Sequence, residues 1–465
     1  MSDIHYLSIA EAGKLIEKKE LSPSEYVEAL IARIDAINPK LDAFLNICGD
    51  QARDDAKAVE AELANGNYKG PMHGIPYGLK DIIDYAGLKT TAHSKLLEDN
   101  VADTDATTTA KLKAAGGIFV GKLATHEFAI GGPSFDLPWP PARNPWNTNR
   151  HPGGSSSGSG AAVAAGLLPG ALGSDTGGSV RHPASMCNLA GIKPTYGRVS
   201  RAGVVPLSFS LDNVGPLTRT VEDNAIMLTA ISGHDPRDPA SARAEATDFT
   251  ADLDKGVKGM KIGLVRHFYE TDLEAQAEMA ASIDAAAETL RALGATVEEV
   301  EMSPLSEYAA VNRVILLSEA FAIHEKWLQE RPGDYAHFTR ERLMPGAFIR
   351  ATHYVQAMRH REKMKHAFEG IMRSYDCVLT ASSMQVACQI DDEPEVERTY
   401  SRQSRTPFNV IGNPALVVPS GFDDEGMPLS VQFAGRAFDE ATVYRVGYAY
   451  EQATRWFEKH PPVDA

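Results

Sequence analysis

Between His151 and Ser185 the chain reads HPGGSSSGSGAAVAAGLLPGALGSDTGGSVRHPAS. Glycine and serine at this density ordinarily make a flexible, solvated linker. Two embedded apolar runs, AAVAAGLL and LPGALG, argue against that, because such runs want burial. Buried glycines at this density point to main chain that approaches something closely. The fold therefore has to bury this stretch, and the segment ALGSDTGGSVRHPAS reads as strand, tight glycine turn and helix start.

The flanking sequence supplies the frame. LSPSEYVEALIARIDAI opens a helix: Ser22 is the expected N-cap, Pro23 suits the first turn and Glu25 completes a capping box. Val27, Leu30, Ile31 and Ile34 then share one face. TDATTTAKLKAAGG reads as a glycine-terminated helix and GIFVGKL as a short buried strand. From residue 260 the order is strand MKIGLV, helix EAQAEMAASIDAAAETLRAL, strand ATVEEVEM; YDCVLT, ALVVPSG and LSVQFAG add strands, the last two as a hairpin. ATVYRVGYAYEQATRWF closes the chain as a helix. Strands alternating with helices imply an α/β sheet with helices on its faces. The polar stretch 234–258 is expected to be a surface connection.

Lysine and arginine number 46 against 62 aspartates and glutamates, a net charge of −16. That balance argues against direct nucleic-acid or anionic-membrane binding, which need a positive footprint. The start lacks the layout of a secretory signal, and no apolar run reaches the length of a membrane span. Cys48, Cys187, Cys377 and Cys388 show no CxxC pairing, so neither a zinc site nor a disulfide framework is expected. A cytoplasmic enzyme is the resulting expectation.

Four short motifs mislead. Gly154 to Gly158 matches G-x-S-x-G, yet a nucleophile elbow needs an apolar strand before it, and NPWNTNRHP is not one. Gly158-Ser159-Gly160 lacks the third glycine of a dinucleotide fingerprint, since Val163 stands there. Asp175-Thr176-Gly177 has no second D-T-G to make an aspartic protease pair. Gly116 to Lys122 fits a P-loop until Leu123, where a hydroxyl should hold magnesium.

Chemistry is better sought at the turn. Ser179 sits at a helix start, and Gly177 and Gly178 let successive N–H groups converge into a nest that stabilises negative charge. That arrangement beside a serine is what an oxyanion hole requires. Serine needs a base. His73, His151 and His182 are candidates without a triad context. Lys80 is another: it lies among Ile75, Tyr77, Leu79, Ile82 and Ile83, and burial lowers a lysine's pKa. An equally weighted reading pairs Lys80 with Asp81 or Asp84 as a structural ion pair.

Taken together, GPMHGIPYGLKDIID, RNPWNTNRHPGGSSSGSGAAVAAG, LGSDTGGSVRHPAS, GIKPTYGRVSRAGVVPLSFSLDNVGPLTRTVED and PFNVIGNPALVVPSGF resemble the amidase signature family, over nearly the whole chain. The resemblance implies a single α/β domain over 1–465, with a mixed, twisted sheet covered by helices on both faces. Its parts would be N-terminal helices about 1–65, a signature core about 66–232 and a variable cleft region about 260–375. It implies a Ser–cis-Ser–Lys triad, with Lys80 as base, Ser155 as the cis serine and Ser179 as nucleophile. Thr176, Gly177, Gly178 and Ser179 correspond to the oxyanion donors, and Ala129 to a position whose backbone faces substrate. The implied reaction is hydrolysis of a small-molecule amide through an acyl-enzyme, without metal or cofactor. Ser156, Ser157 and Ser159 are left with bonds to local backbone. A homodimer is left open.

Relatives of this kind include free-standing amidases and the glutamine-hydrolysing member of a tRNA-dependent amidotransferase complex. In the latter, an acidic residue lies five positions before the proline of P-x-N and helps bind glutamine's amino group. Here that position is Arg402, whose charge would repel an ammonium; a free-standing amidase is therefore the main expectation, and an ester or hydrazide hydrolase with the same triad a further alternative. Tyr308, Trp327, Phe338, Phe348 and Tyr354 could line an apolar cleft, although aromatic residues more often fill cores. His353, His360 and His366 read as a solvated basic face. Arg181 is read as the structural partner of Asp175 rather than as a ligand for a substrate carboxylate.

Overall fold

The computed structural model describes residues 4–463; the first three and last two positions of the expected 1–465 domain lie outside the described residues. Eleven strands form one sheet: β1 (Phe44–Ile47), β2 (Pro76–Lys80), β3 (Ile118–Leu123), β4 (Gly170–Asp175), β5 (Ala190–Lys193), β6 (Asn213–Thr218), β7 (Lys261–Leu264), β8 (Thr296–Glu299), β9 (Cys377–Ala381), β10 (Ala415–Phe422) and β11 (Pro428–Ala434). Their order is β1-β3-β2-β4-β6-β5-β10-β11-β9-β7-β8. The sheet is mixed: β3-β2-β4 run parallel, as do β8-β7-β9, while β4-β6-β5-β10-β11-β9 alternate antiparallel. The fold is a mixed α/β sheet flanked by helices.

Side-chain alternation along the strands explains the layering. In β3, Phe119 enters one hydrophobic core, whereas Ile118 and Val120 enter the other. Likewise Leu172 of β4 faces the first core and Ala171 the second; Leu416 and Val418 of β10 face the first and Val417 the second. Strands apolar on both faces need helices on both sides.

Local signals place most of these elements, with two corrections. Ser22 caps the helix Pro23–Leu41 by accepting from the Glu25 N–H at 3.2 Å, but no bond returns from the Glu25 side chain to Ser22. The Ser22 hydroxyl instead donates to Glu60, so a tertiary contact replaces the expected capping box. The stretch 234–258 is not purely superficial: Phe249, Leu253 and Val257 are buried in the main core. Among the described residues no helix is long and apolar enough to cross a membrane.

Candidate active site

Three parallel strands deliver the candidate residues to one place. β2 ends at Lys80, β3 at Leu123 and β4 at Asp175, and parallel strands bring their carboxyl ends to the same sheet edge. Crevices outside the carboxyl ends of parallel strands are where α/β sheets bind ligands. From β3 the chain passes into the turn Glu127–Ala129; from β4 it passes through Thr176–Ser179 into the helix Arg181–Met186.

Lys80 has no solvent exposure. Its Nζ donates to Ser155 Oγ at 2.7 Å and to Ser174 Oγ at 2.9 Å, and among the described residues it bonds no carboxylate. Burial brings its pKa down to about 7, against the weaker opposing pull of Asp212 and Asp175. The ion-pair reading of Lys80 is thereby corrected: Asp81 pairs with Lys122 of β3 at 3.1 Å. Lys193 is also buried and lowered to about 7 by desolvation, yet among the described residues its Nζ donates only to the Pro194 carbonyl. Depressed basicity thus does not distinguish Lys80 from Lys193; the serine hydroxyls at Lys80 do.

The Gly154–Ser155 peptide is cis. The Ser156 N–H donates to the Ser179 carbonyl at 3.3 Å, tying this loop to the turn after β4. A Cβ on Gly154 would lie 2.1 Å from the His126 ring, so only glycine fits there. Ser156 and Ser159 bond carbonyls of β4, Ser174 and Leu172, and Ser157 bonds that of Ala124. Their partners are main chain, but across the tertiary structure rather than local.

Ser179 lines a cleft of about 440 Å³ with Ala129, Thr176, Gly177, Asn312 and Arg342. The N–H groups of Thr176, Gly177 and Ser179 donate to no other described group. Gly178 departs from its expected role: its N–H donates to Asp175 Oδ1 at 2.9 Å and is not open to a ligand. The Ala129 N–H is spent on the His126 carbonyl at 2.9 Å, which leaves only its carbonyl for a bound molecule. Asn312, unnoticed in the sequence, sends Nδ2 toward the Thr176 carbonyl at 3.5 Å. Thr176 Oγ1 donates to Asp212 at 2.6 Å, and Asp212 also accepts from the N–H groups of Leu207 and Ser208.

The histidine candidates lie elsewhere. His73 bonds Glu62 and the Lys69 N–H. His151 meets His126 Nε2 at 3.2 Å, and burial lowers its pKa to about 3. His182 Nδ1 bonds the Gly154 main chain. None of them bonds a serine hydroxyl among the described residues.

Arg181 is fully buried and pairs with Asp175 at 2.9 Å. Burial alone would raise the Asp175 carboxyl, but Arg181 and the Asn409 amide override it and hold it well below the usual carboxylate range. Arg181 also donates to Gln432, Asn409 and the Arg405 carbonyl. Removing one partner of such a pair strands the other charge in the interior. Arg181→Leu is expected to cost about 3–5 kcal/mol of stability, read as a lower urea midpoint; an unchanged midpoint would remove the pair from the scaffold.

Of the five aromatic candidates only Phe338 lines the cleft. Tyr308 is in the core, Trp327 stacks on Phe128, Tyr354 donates to Glu319 and Phe348 is 79% exposed. His360 pairs with Glu307 and His353 with Arg350. Arg402 does not line the cleft; its guanidinium donates to the Glu274 carbonyl. The cation expected to repel an ammonium is therefore directed elsewhere.

The amidase family pattern matches residues 25–444 of this chain. The chain belongs to the amidase signature family. It is 38% identical, over 485 residues covering 99% of each chain, to the glutamyl-tRNA(Gln) amidotransferase chain of Moorella thermoacetica that is designated by the letter A. Among solved structures, a chain from a vestigial protein complex that bears on the evolutionary origins of an s-triazine catabolic enzyme superposes with a TM-score of 0.91 at 31% identity, over 96% of this chain and 99% of that one. The peptide amidase of Stenotrophomonas maltophilia superposes with a TM-score of 0.86 at 31% identity, over 98% of both chains. Family and neighbours make this amidase signature chain a hydrolase acting on amides.

Proposed function

We propose that the chain hydrolyses small carboxylic acid amides through an acyl-enzyme on Ser179, with Ser155 as relay and Lys80 as base. The observation that carries this reading is the Lys80–Ser155 bond of 2.7 Å in a fully buried setting, with no carboxylate partner among the described residues. A lysine at pKa about 7 is substantially neutral near pH 7 and has a lone pair to offer. Ser179 Oγ attacks the amide carbon while its proton passes to Ser155 and that of Ser155 to Lys80. The carbonyl oxygen becomes an oxyanion, met by the open N–H groups of Thr176, Gly177 and Ser179. Collapse breaks the C–N bond, and the proton returns from Lys80 through Ser155 to the leaving ammonia or amine. Water then attacks the ester by the same route, releasing the acid and restoring Ser179. One sheet taking strands from residues 44 to 434 supports a single domain, and a cytoplasmic setting suits this reading.

For the physiological setting, the relatives favour glutamine hydrolysis within an amidotransferase complex over a free-standing amidase, because the amidotransferase chain is 38% identical against 31% for the peptide amidase at nearly equal coverage. The position of Arg402 removes the electrostatic objection to glutamine. Released ammonia, measured for glutamine, simple amides, an ester and a hydrazide, with and without companion amidotransferase subunits, separates the settings. Glutamine turnover that rises at least about tenfold with companions, a transition-state gain of about 1.4 kcal/mol, is the expected result. Efficient turnover of simple amides alone, indifferent to companions, would restore the free-standing reading. Preference for the ester or hydrazide would move the substrate class.

A further inference from the structure

Nothing in the sequence pattern singles out Arg405. It immediately precedes the helix Thr406–Ile411 and is buried at 2% exposure. Its Nη1 donates to the Ser382 carbonyl at 3.1 Å and to Ser383 Oγ at 2.6 Å. Its Nε is buried and donates to nothing among the described residues. The guanidinium packs against the turn after β4: a Cβ on Gly178 would lie 2.5 Å from Nε and 2.7 Å from Cδ. Gly178 sits at φ +124° and presents that bare face to the arginine.

Both carboxylates beside the turn are engaged by groups other than Arg405. Asp175 is engaged by Nε and Nη2 of Arg181 and by Asn409. Asp212, the other carboxylate beside the turn, is taken by Thr176, Leu207 and Ser208. No carboxylate forms an ion pair with Arg405 among the described residues. Burial, and next the neighbouring Arg181, lower the Arg405 pKa to about 9, which leaves it protonated at neutral pH. Tyr400 and Asp175 oppose that lowering only in part; a buried cation without a direct ion-pair partner is expensive to fold, and a transient anion nearby would offset it.

We propose that Arg405 lies behind the Thr176–Ser179 turn as a positive charge reserved for the oxyanion, holding the turn through Gly178 and stabilising negative charge only as it develops at the open N–H groups. The proposal rests on Ser179 being the nucleophile. Arg405 does not line the cleft, so it acts across the turn as a positioning residue and touches no substrate. A charge that is fixed before reaction, in a water-poor interior, favours the transition state over the neutral ground state.

The test compares Arg405→Met, which keeps length and packing without charge, with Arg405→Lys, which keeps charge; Arg405→Gln serves as a second neutral variant should the methionine variant fail to fold. Each is assayed with an amide that the wild type hydrolyses and with a boronic acid that forms a tetrahedral anion on serine. In a folded neutral variant kcat is expected to fall by about tenfold or more, with KM within about threefold, since the charge acts on the transition state alone. Boronate affinity should fall by a similar factor, and lysine should recover part of both. A folded neutral variant with wild-type kcat and boronate affinity would overturn the proposal. So would equal losses in the neutral and lysine variants, which would assign Arg405 to scaffolding alone. Wild-type boronate adducts mapped to Ser179 keep the two readings apart: an adduct on another serine would overturn the nucleophile assignment and this proposal with it.

Discussion

Ser179→Ala is expected to reduce kcat by at least about a thousandfold, the scale on which loss of a nucleophile acts, while leaving the unfolding midpoint close to that of the wild type. The hydroxyl of Ser179 takes part in no described side-chain hydrogen bond, so its removal leaves no buried partner stranded. No neighbouring serine replaces it. Ser155 is held by Lys80, and the hydroxyls of Ser156 and Ser159 are engaged with the main chain of β4. A serine-directed probe should therefore label Ser179, and peptide mapping reads this directly. Label on Ser156, with activity retained in the Ser179 variant, would transfer the nucleophile to the G-x-S-x-G motif.

Lys80→Ala is expected to be nearly as severe, because it removes the proton acceptor and leaves Ser155 and Ser174 without their shared partner. Lys80→Arg should not rescue it. Guanidinium keeps its proton throughout the working range and cannot serve as a base. In the wild type, kcat/KM should rise with pH along one titration centred near 7, where burial places Lys80. The stability linkage has a defined sign. In the unfolded chain the lysine titrates near its ordinary value of about 10.4, whereas in the folded chain it does so near 7. Between those values the unfolded chain binds more protons, so the Lys80 contribution to stability increases as pH rises across that window. It is least favourable below pH 7, where the buried ammonium must form. The difference in unfolding free energy between wild type and Lys80→Met, measured from pH 6 to 10, isolates this contribution. A Lys80→Arg enzyme with near-wild-type turnover would sink the relay.

Short continuous apolar runs such as IFVGKL and ALVVPSG are legible as strands because burial on both faces dictates their composition locally. The turn after β4 is legible for the same kind of reason: Gly178, at φ +124°, permits main-chain geometry that other residues resist. These are properties of neighbours in the chain, and so the frame of the fold and the region of the candidate site could be read from it. Partnership is different. Lys80 and Ser155 are 75 residues apart, and their contact depends on β2, β3 and β4 running parallel so that their ends coincide. Asp81, adjacent to Lys80 in sequence, could have neutralised it; in the fold it goes to Lys122 on β3.

The same competition decided the finer points. Gly178 has the conformation of a donor in a nest, yet the Asp175 carboxylate, itself fixed by Arg181 and Asn409, claims its N–H. Arg402 and Arg405 are both cations three residues apart. One bonds the carbonyl of Glu274 away from the cleft, and the other is buried against Gly178 with no ion-pair partner among the described residues. Spacing cannot distinguish them, because each guanidinium answers to acceptors supplied by distant segments. Sequence alone determined where strands, turns and reactive side-chain types lie, since those follow from local sterics and burial periodicity. Only the tertiary structure decided which charges are paired and which are left over, because desolvation and hydrogen bonding depend on neighbours that the chain brings together only on folding.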